Sequence, residues 1–273
     1  MVKGLPAPFQ AGVPIPLNEG LTNQAFRLEL PGDTCFLRVG TPYSVRLGID
    51  RHRELQLLRL ATEQGLSPAI RFADTEQNLL ICDWVIGGPQ TVTEWQSPPG
   101  LAQLGRLLGT IHAMTVPAFT LDLVAHLRFY LARICHRDPR LTRWFAAAVQ
   151  RLQALPPVRQ VFCHNDLHPG NLLGERPWVV DWEYAAVGDP GFELAGVVRN
   201  FCLNSAQTAT LLQHYQAAGG ECSQARIAAM LPIVDLTTAL WANVYWEASN
   251  QPYHHELFVQ QLNRLTVLAG EQS

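Results

Sequence analysis

Residues 161–193 read VFCHNDLHPGNLLGERPWVVDWEYAAVGDPGFE and set carboxylates, carboxamides and imidazoles between apolar runs. His164-Asn165-Asp166 is followed, after four further residues, by Asn171, and the apolar pair Val179-Val180 then delivers Asp181 at the end of a short strand pattern. Aspartate and asparagine oxygens are hard ligands of the kind magnesium takes, and a carboxylate held near such a site can accept a proton from an attacking hydroxyl. Those are the demands of phosphoryl transfer, which proceeds by positioning and charge neutralisation more than by covalent chemistry on the protein. Asp166 or Asn171 alone would be an ordinary turn residue, because both types hydrogen-bond their own backbone in loops. The joint spacing, the apolar strand and the trailing Glu183-Tyr184 together argue for a site.

HNDLHPGNLL and VVDWEYA resemble the catalytic loop and the metal strand of the small-molecule kinases of the aminoglycoside phosphotransferase, choline kinase and thiamine kinase superfamily. The resemblance implies an α+β, two-lobed protein-kinase-like fold, with a small antiparallel-sheet nucleotide-binding lobe over residues 1–85 and a mainly helical catalytic and substrate lobe over residues 86–273. Carried onto these positions, it makes Asp166 the catalytic base, Asn171 and Asp181 the magnesium ligands, and ATP the phosphoryl donor. Asp181 and Asp189 stand too close together for a long phosphorylatable activation loop, which argues against a protein substrate.

The elements that must hold these residues show in the apolar periodicity. Residues 1–16 are rich in proline and glycine and predict an irregular approach to the first strand. Alternation over 25–30 and 35–39, around Pro31-Gly32-Asp33, predicts a hairpin. Ahead of it, Gly20, Thr22 and Asn23 supply backbone and short polar side chains suited to phosphate oxygens, although a glycine between strands is also simply a turn. Arg38 stands where kinases carry a phosphate-pairing lysine, and arginine's planar fork can serve phosphate and carboxylate alike. A helix over 48–64, capped by Asp50 and stopped by Gly65, places Glu54 one turn in as the expected partner of Arg38. Strands over 69–74 and 78–84 complete a five-stranded lobe. The glycines and proline of 85–90, VIGGPQ, mark the expected hinge, and the resemblance puts a nucleotide base against the backbone around Trp84 and Ile86.

Beyond the hinge the period lengthens, predicting helices over 101–113, 121–135 and 141–155, the last ended by Pro156-Pro157. His112 is expected as a packed residue of the first of these. Asp189, ahead of Pro190, either caps the next helix or buttresses the catalytic loop, as an aspartate in this neighbourhood does in related kinases. In the late segment DLTTALWANVYWE, helical spacing brings Asp235, Trp241, Tyr245 and Trp246 onto neighbouring faces. Rings plus a carboxylate suit a quaternary ammonium or thiazolium through cation–π attraction and charge pairing, though an aromatic stripe is also common core. Glu183 and Trp182, beside the metal strand, are further candidates for substrate contact.

Composition narrows the rest. With 273 residues, 48% of them hydrophobic and 16% charged, the chain can fill a sizeable core. A net charge of −3 without a lysine or arginine run speaks against nucleic acid or an acidic membrane as partner, and towards a small molecule. The six cysteines are scattered without a C-x-x-C pair, as in a reducing cytoplasm, and no run approaches the roughly 18 apolar residues of a membrane span. The expectation is an ATP- and magnesium-dependent kinase acting on a hydroxyl of a small cationic metabolite, thiamine first and choline or ethanolamine next. An aminoglycoside phosphotransferase ranks third, because a polycation calls for a more acidic substrate lobe. The rival from another class is a non-catalytic nucleotide-binding scaffold of the same fold, against which the full set of Asp166, Asn171 and Asp181 speaks.

Overall fold

The computed structural model describes residues 4–17, 23–117 and 119–268. Helix α1 (Ala7–Gln10) leads into β1 (Val13–Pro16), β2 (Asn23–Leu30) and β3 (Asp33–Gly40). Helix α2 (Arg51–Glu63) follows, then β4 (Ile70–Asp74) and β5 (Leu79–Asp83). These strands form one antiparallel five-stranded sheet in the order β1-β2-β3-β5-β4. The expected hairpin forms with Leu30 opposite Asp33 and Gly32 at φ +81°, a conformation glycine adopts without cost. Residues 4–16 are more ordered than their composition predicts. Pro14 and Pro16 pair with Leu28 and Phe26 in β1, and an edge strand tolerates proline because it has no second neighbour needing an N–H. Leu28, Cys35, Leu37 and Ile81 close the sheet's core with Leu5 and Phe9.

The chain continues through α3 (Val92–Gln96), α4 (Pro98–His112), α5 (Leu123–Leu131), α6 (Pro139–Ala154) and β6 (Val161–Cys163). A 3₁₀ turn (Pro169–Asn171) then introduces the short hairpin β7 (Leu172–Leu173) and β8 (Trp178–Val179). Last come β9 (Ala186–Gly188), α7 (Pro190–Asn200), α8 (Ser205–Ala217), α9 (Gln224–Ser249) and α10 (Pro252–Leu268).

Two compact units result: residues 1–90 with 170–183, and residues 91–169 with 184–273. The division does not follow chain order, because the β7–β8 segment is bonded into the first unit. Gly174 N donates to Gly88 O at 3.1 Å, Val179 N to Leu66 O at 2.8 Å, and the Trp182 indole to Ser67 Oγ at 2.7 Å. Gly87 (φ +87°) and Gly174 (φ +82°) let these backbones meet: a Cβ on Gly87 would stand 3.3 Å from Gly174 Cα.

The second unit is helical around the two-stranded sheet of β6 and β9. Its central helix α9 is long and apolar enough to cross a membrane by length and composition. It nevertheless carries buried Asp235 and Asn243 and packs against α5, α6, α7 and α10, the surroundings of a core helix.

Candidate active site

In the second unit, the turn after β6 carries the loop HNDLHP. Asn165 adopts φ +64°, a left-handed conformation that asparagine tolerates better than most residues. It is held from two sides: its N–H donates to Glu193 Oε1 at 2.8 Å and its carboxamide donates to Tyr184 O at 3.0 Å. The next N–H, of Asp166, lies 3.3 Å from His164 Nδ1, and Leu167 O accepts from Asn200 Nδ2 at 2.9 Å. Within this braced backbone the Asp166 side chain remains 36% exposed, with His168 Nε2 at 4.0 Å from Oδ2. A carboxylate that is open while its backbone is fixed suits a base that must reach a substrate hydroxyl.

The brace runs deeper through Glu193 of α7. Its other oxygen meets His112 Nε2, and His112 Nδ1 lies 2.7 Å from the Tyr215 hydroxyl, all three residues being buried. Burial would raise the Glu193 pKa, but the contact with His112, nearby His164 and the Asn165 amide together hold it below the ordinary glutamate range. His112 is therefore more than a packed helix residue. Asp189 proves to be the cap: it accepts from Gly191 N at 2.8 Å and pairs with Arg226, while the contact to the loop that carries Asp166 belongs to Glu193.

The first unit holds the proposed metal ligands. Val180 N donates to Asn171 O at 3.0 Å, which ties buried Asn171 to the strand end that presents Asp181 at φ +67°. Arg38 pairs with Glu54 as expected, through a short contact and a second bond of 2.9 Å from Nη2 to Oε2, and its Nη1 stands 3.5 Å from Asp181 Oδ1. Burial would lower the Arg38 pKa, yet Glu54, with Asp181 and Glu183 behind it, raises it; burial would raise Glu54, yet Arg38 and Arg51 hold it down. Both groups therefore stay charged.

Arg51, which the sequence reading did not single out, completes this cluster. Its Nη1 donates to Glu54 Oε2 at 2.7 Å and to Glu183 Oε2 at 2.8 Å, and its Nη2 donates to Asn23 Oδ1 at 2.6 Å. Asn23 Nδ2 also donates to Glu183 Oε2, at 3.1 Å. One carboxylate oxygen from each of Glu54, Asp181 and Glu183 lies within 4.8 Å of the others, an all-oxygen donor set of the class that fits magnesium. Gly20 and Thr22 fall outside the described residues. Trp84 follows β5 half-buried, and Ile86 is 89% exposed beside the glycines of the hinge.

The residues expected to touch substrate separate into two groups. Trp182 is buried on Ser67, Glu183 belongs to the arginine cluster, and Asp235 accepts from Arg199 through both carboxylate oxygens at 2.9 and 2.6 Å, with Arg264 at 3.4 Å. Their polar groups are turned inward. Trp241 and Tyr245 instead stack at 5.6 Å in the second unit, joined by His254, whose ring lies 4.1 Å from that of Tyr245. Trp246 packs on His255 at 4.4 Å. The Trp241 indole donates to the Tyr184 hydroxyl at 2.9 Å, and the Tyr184 carbonyl is the one that accepts from Asn165. Tyr184 thus links the aromatic pair to the loop that carries Asp166. In the sequence, Arg51 stands one helical turn before Glu54 on the same face, a signal that could have found it; nothing local marked Glu193 or His254.

The profile of a phosphotransferase enzyme family matches residues 14–233. Protein LicA of Haemophilus influenzae is 38% identical over 217 residues, which cover 76% of this chain and 63% of that relative's length. The crystal structure of a choline/ethanolamine kinase family protein from Mesorhizobium loti superposes with a TM-score of 0.77 at 26% identity, covering 98% of this chain and 92% of the other. The choline kinase LicA of Streptococcus pneumoniae shares the fold with a TM-score of 0.80 at 22% identity, covering 93% and 94%.

Proposed function

This chain belongs to the phosphotransferase enzyme family, and on that premise we propose that it transfers the γ-phosphoryl group of ATP to the hydroxyl of a small cationic amino alcohol of the choline or ethanolamine type. The observation that carries the acceptor class is the Tyr184 link, which puts the half-buried Trp241 ring on the same support as the Asp166 loop. A cationic head held on such rings by cation–π attraction leaves its alcohol arm to reach the open carboxylate of Asp166. The similarity to the M. loti choline/ethanolamine kinase family protein supports the same class. Amino alcohols therefore take precedence over the thiamine expected from the sequence.

In this reading Asp166 accepts the hydroxyl proton as the oxygen attacks. Asn171 and Asp181 would hold magnesium, which when bound neutralises charge on the nucleotide phosphates. Arg38, kept charged and oriented by Glu54, stands beside Asp181 to receive phosphate oxygens in place of the usual lysine. Residues 1–85 serve the nucleotide, and residues 86–273, which include Asn171 and Asp181, carry the catalytic and acceptor-binding groups.

The test is ATP consumption with choline, ethanolamine, thiamine, homoserine and kanamycin, each with and without magnesium. Magnesium-dependent turnover on choline or ethanolamine is expected. Turnover confined to kanamycin or thiamine would replace the acceptor class, and tight ATP binding with no turnover on any of the five would favour the scaffold.

A further inference from the structure

The buried cluster of the first unit contains a feature that catalysis alone does not require. Two guanidinium groups, Arg38 and Arg51, face three carboxylates, Glu54, Asp181 and Glu183, and leave a formal charge of −1. The carboxylate oxygens approach within 4.8 Å of one another, close enough to hold a hard dication unaided if their charge were uncompensated. Arg38 is already shared between Glu54 and Asp181. Arg51 is the group on Glu183, with Asn23 fixing its second nitrogen, and Asn23, Arg51 and Glu183 are all at least nine-tenths buried. In that setting one missing positive charge is screened little by solvent.

We propose that Arg51 is a positioning residue which, through Glu183, sets the charge around Asp181 so that a divalent cation is bound together with the nucleotide and not ahead of it. At −1 the cluster attracts a metal whose remaining charge is met by phosphate oxygens. Without Arg51 it stands at −2, a metal site in its own right, and a metal trapped there has lost its preference for arriving with ATP. With Glu183→Gln it stands at 0 and holds metal poorly. The inference rests on the assignment of Asp181 as a metal ligand in the proposed function.

Binding titrations on the full chain test it, with Mn2+ alone and with Mn2+ plus a non-hydrolysable ATP analogue as probes. Arg51→Met should bind Mn2+ alone about tenfold more tightly than the unsubstituted protein, and Glu183→Gln about tenfold more weakly. The double variant R51M/E183Q, back at −1, should return to within about threefold, and Arg51→Lys should stay near the original affinity because it keeps the charge. In Arg51→Met the tightening of Mn2+ should be paired with weaker binding of the nucleotide analogue, a split in sign that simple loosening of the fold would not produce. Unchanged Mn2+ affinity in Arg51→Met, or parallel weakening of metal and nucleotide, would overturn the proposal. Should Arg51→Met fail to fold, the comparison of Glu183→Gln with the double variant decides: weakening followed by restoration supports it, and equal affinities overturn it. These titrations use no acceptor, so a chain that phosphorylates no amino alcohol would sink the proposed function and leave this result standing.

Discussion

In the proposed reaction the Asp166 carboxylate takes a proton and has to be aimed, and the bonds that would aim it hold the backbone of its neighbour. Asn165 sits at φ +64° because Glu193 takes its N–H and Tyr184 takes its carboxamide. Asp166→Ala should lower kcat by about a thousandfold or more while leaving nucleotide affinity within a few-fold, measured by steady-state kinetics and direct ATP binding. Near-normal turnover would remove Asp166 from the base role. Glu193→Gln keeps the shape and removes the charge, so the predicted effect is graded: kcat down about tenfold with acceptor KM nearly unchanged, and stability down about 1–3 kcal/mol from weakened buried hydrogen bonds. Asp166, Asn171 and Asp181 could be proposed from the sequence because their spacing is local. Arg51 and Glu193 act through partners far along the chain, Glu183 in one case and Asn165 in the other, and a charge buried by such contacts looks beforehand like any surface residue.

Helices and strands followed their periodicity where local signals agreed. Asp50 caps α2 through the amides of His52 and Arg53, and Gly65 at φ +68° ends it. Two departures have physical causes. α3 was not expected, yet Thr91 and Glu94 form a reciprocal capping box at its start, a signal that the proline-rich surroundings obscured. α5 ends at Leu131 rather than running to 135, and beyond it the Glu247 carboxylate accepts from Cys135 N at 2.9 Å and His136 N at 2.8 Å, a tertiary partner for amides a longer helix would have used itself. The crossing of α4 and α8 makes the element-scale prediction. A Cβ on Gly105 would stand 2.6 Å from His214 Cβ and 2.9 Å from Tyr215 N, and backbone cannot yield cheaply. Gly105→Ala should therefore cost about 1–3 kcal/mol by overpacking despite alanine's higher helix propensity, read as a lowered urea midpoint. Because Tyr215 carries His112 towards Glu193, the same variant should also reduce kcat.

At the scale of the whole molecule, both units keep ionisable groups in states that acid reverses. Glu54 in the first unit and Glu193 in the second are buried, and cationic or hydrogen-bonding partners hold each pKa below its ordinary value of 4.5. His254 is fully buried, neither ring nitrogen has a hydrogen-bond partner among the described residues, and burial holds its pKa below the ordinary 6.5. His168 is shifted the same way by burial, but its side chain is 41% exposed and should count for less. In every case the unfolded chain binds protons more readily than the folded one, so stability is full above the ordinary value and falls as pH drops through the folded value. Urea midpoints measured from pH 8 to pH 4 should thus decline in two stages, the first beginning near pH 6.5 and the second near pH 4.5. His254→Phe keeps a ring of similar size against Trp241 and Tyr245 and cannot be protonated, so it should flatten the first stage and leave the second unchanged. If the first stage survives that substitution, a histidine other than His254 sets it. If there is no second stage, the buried carboxylates of the two units are not the groups through which acid unfolds this protein.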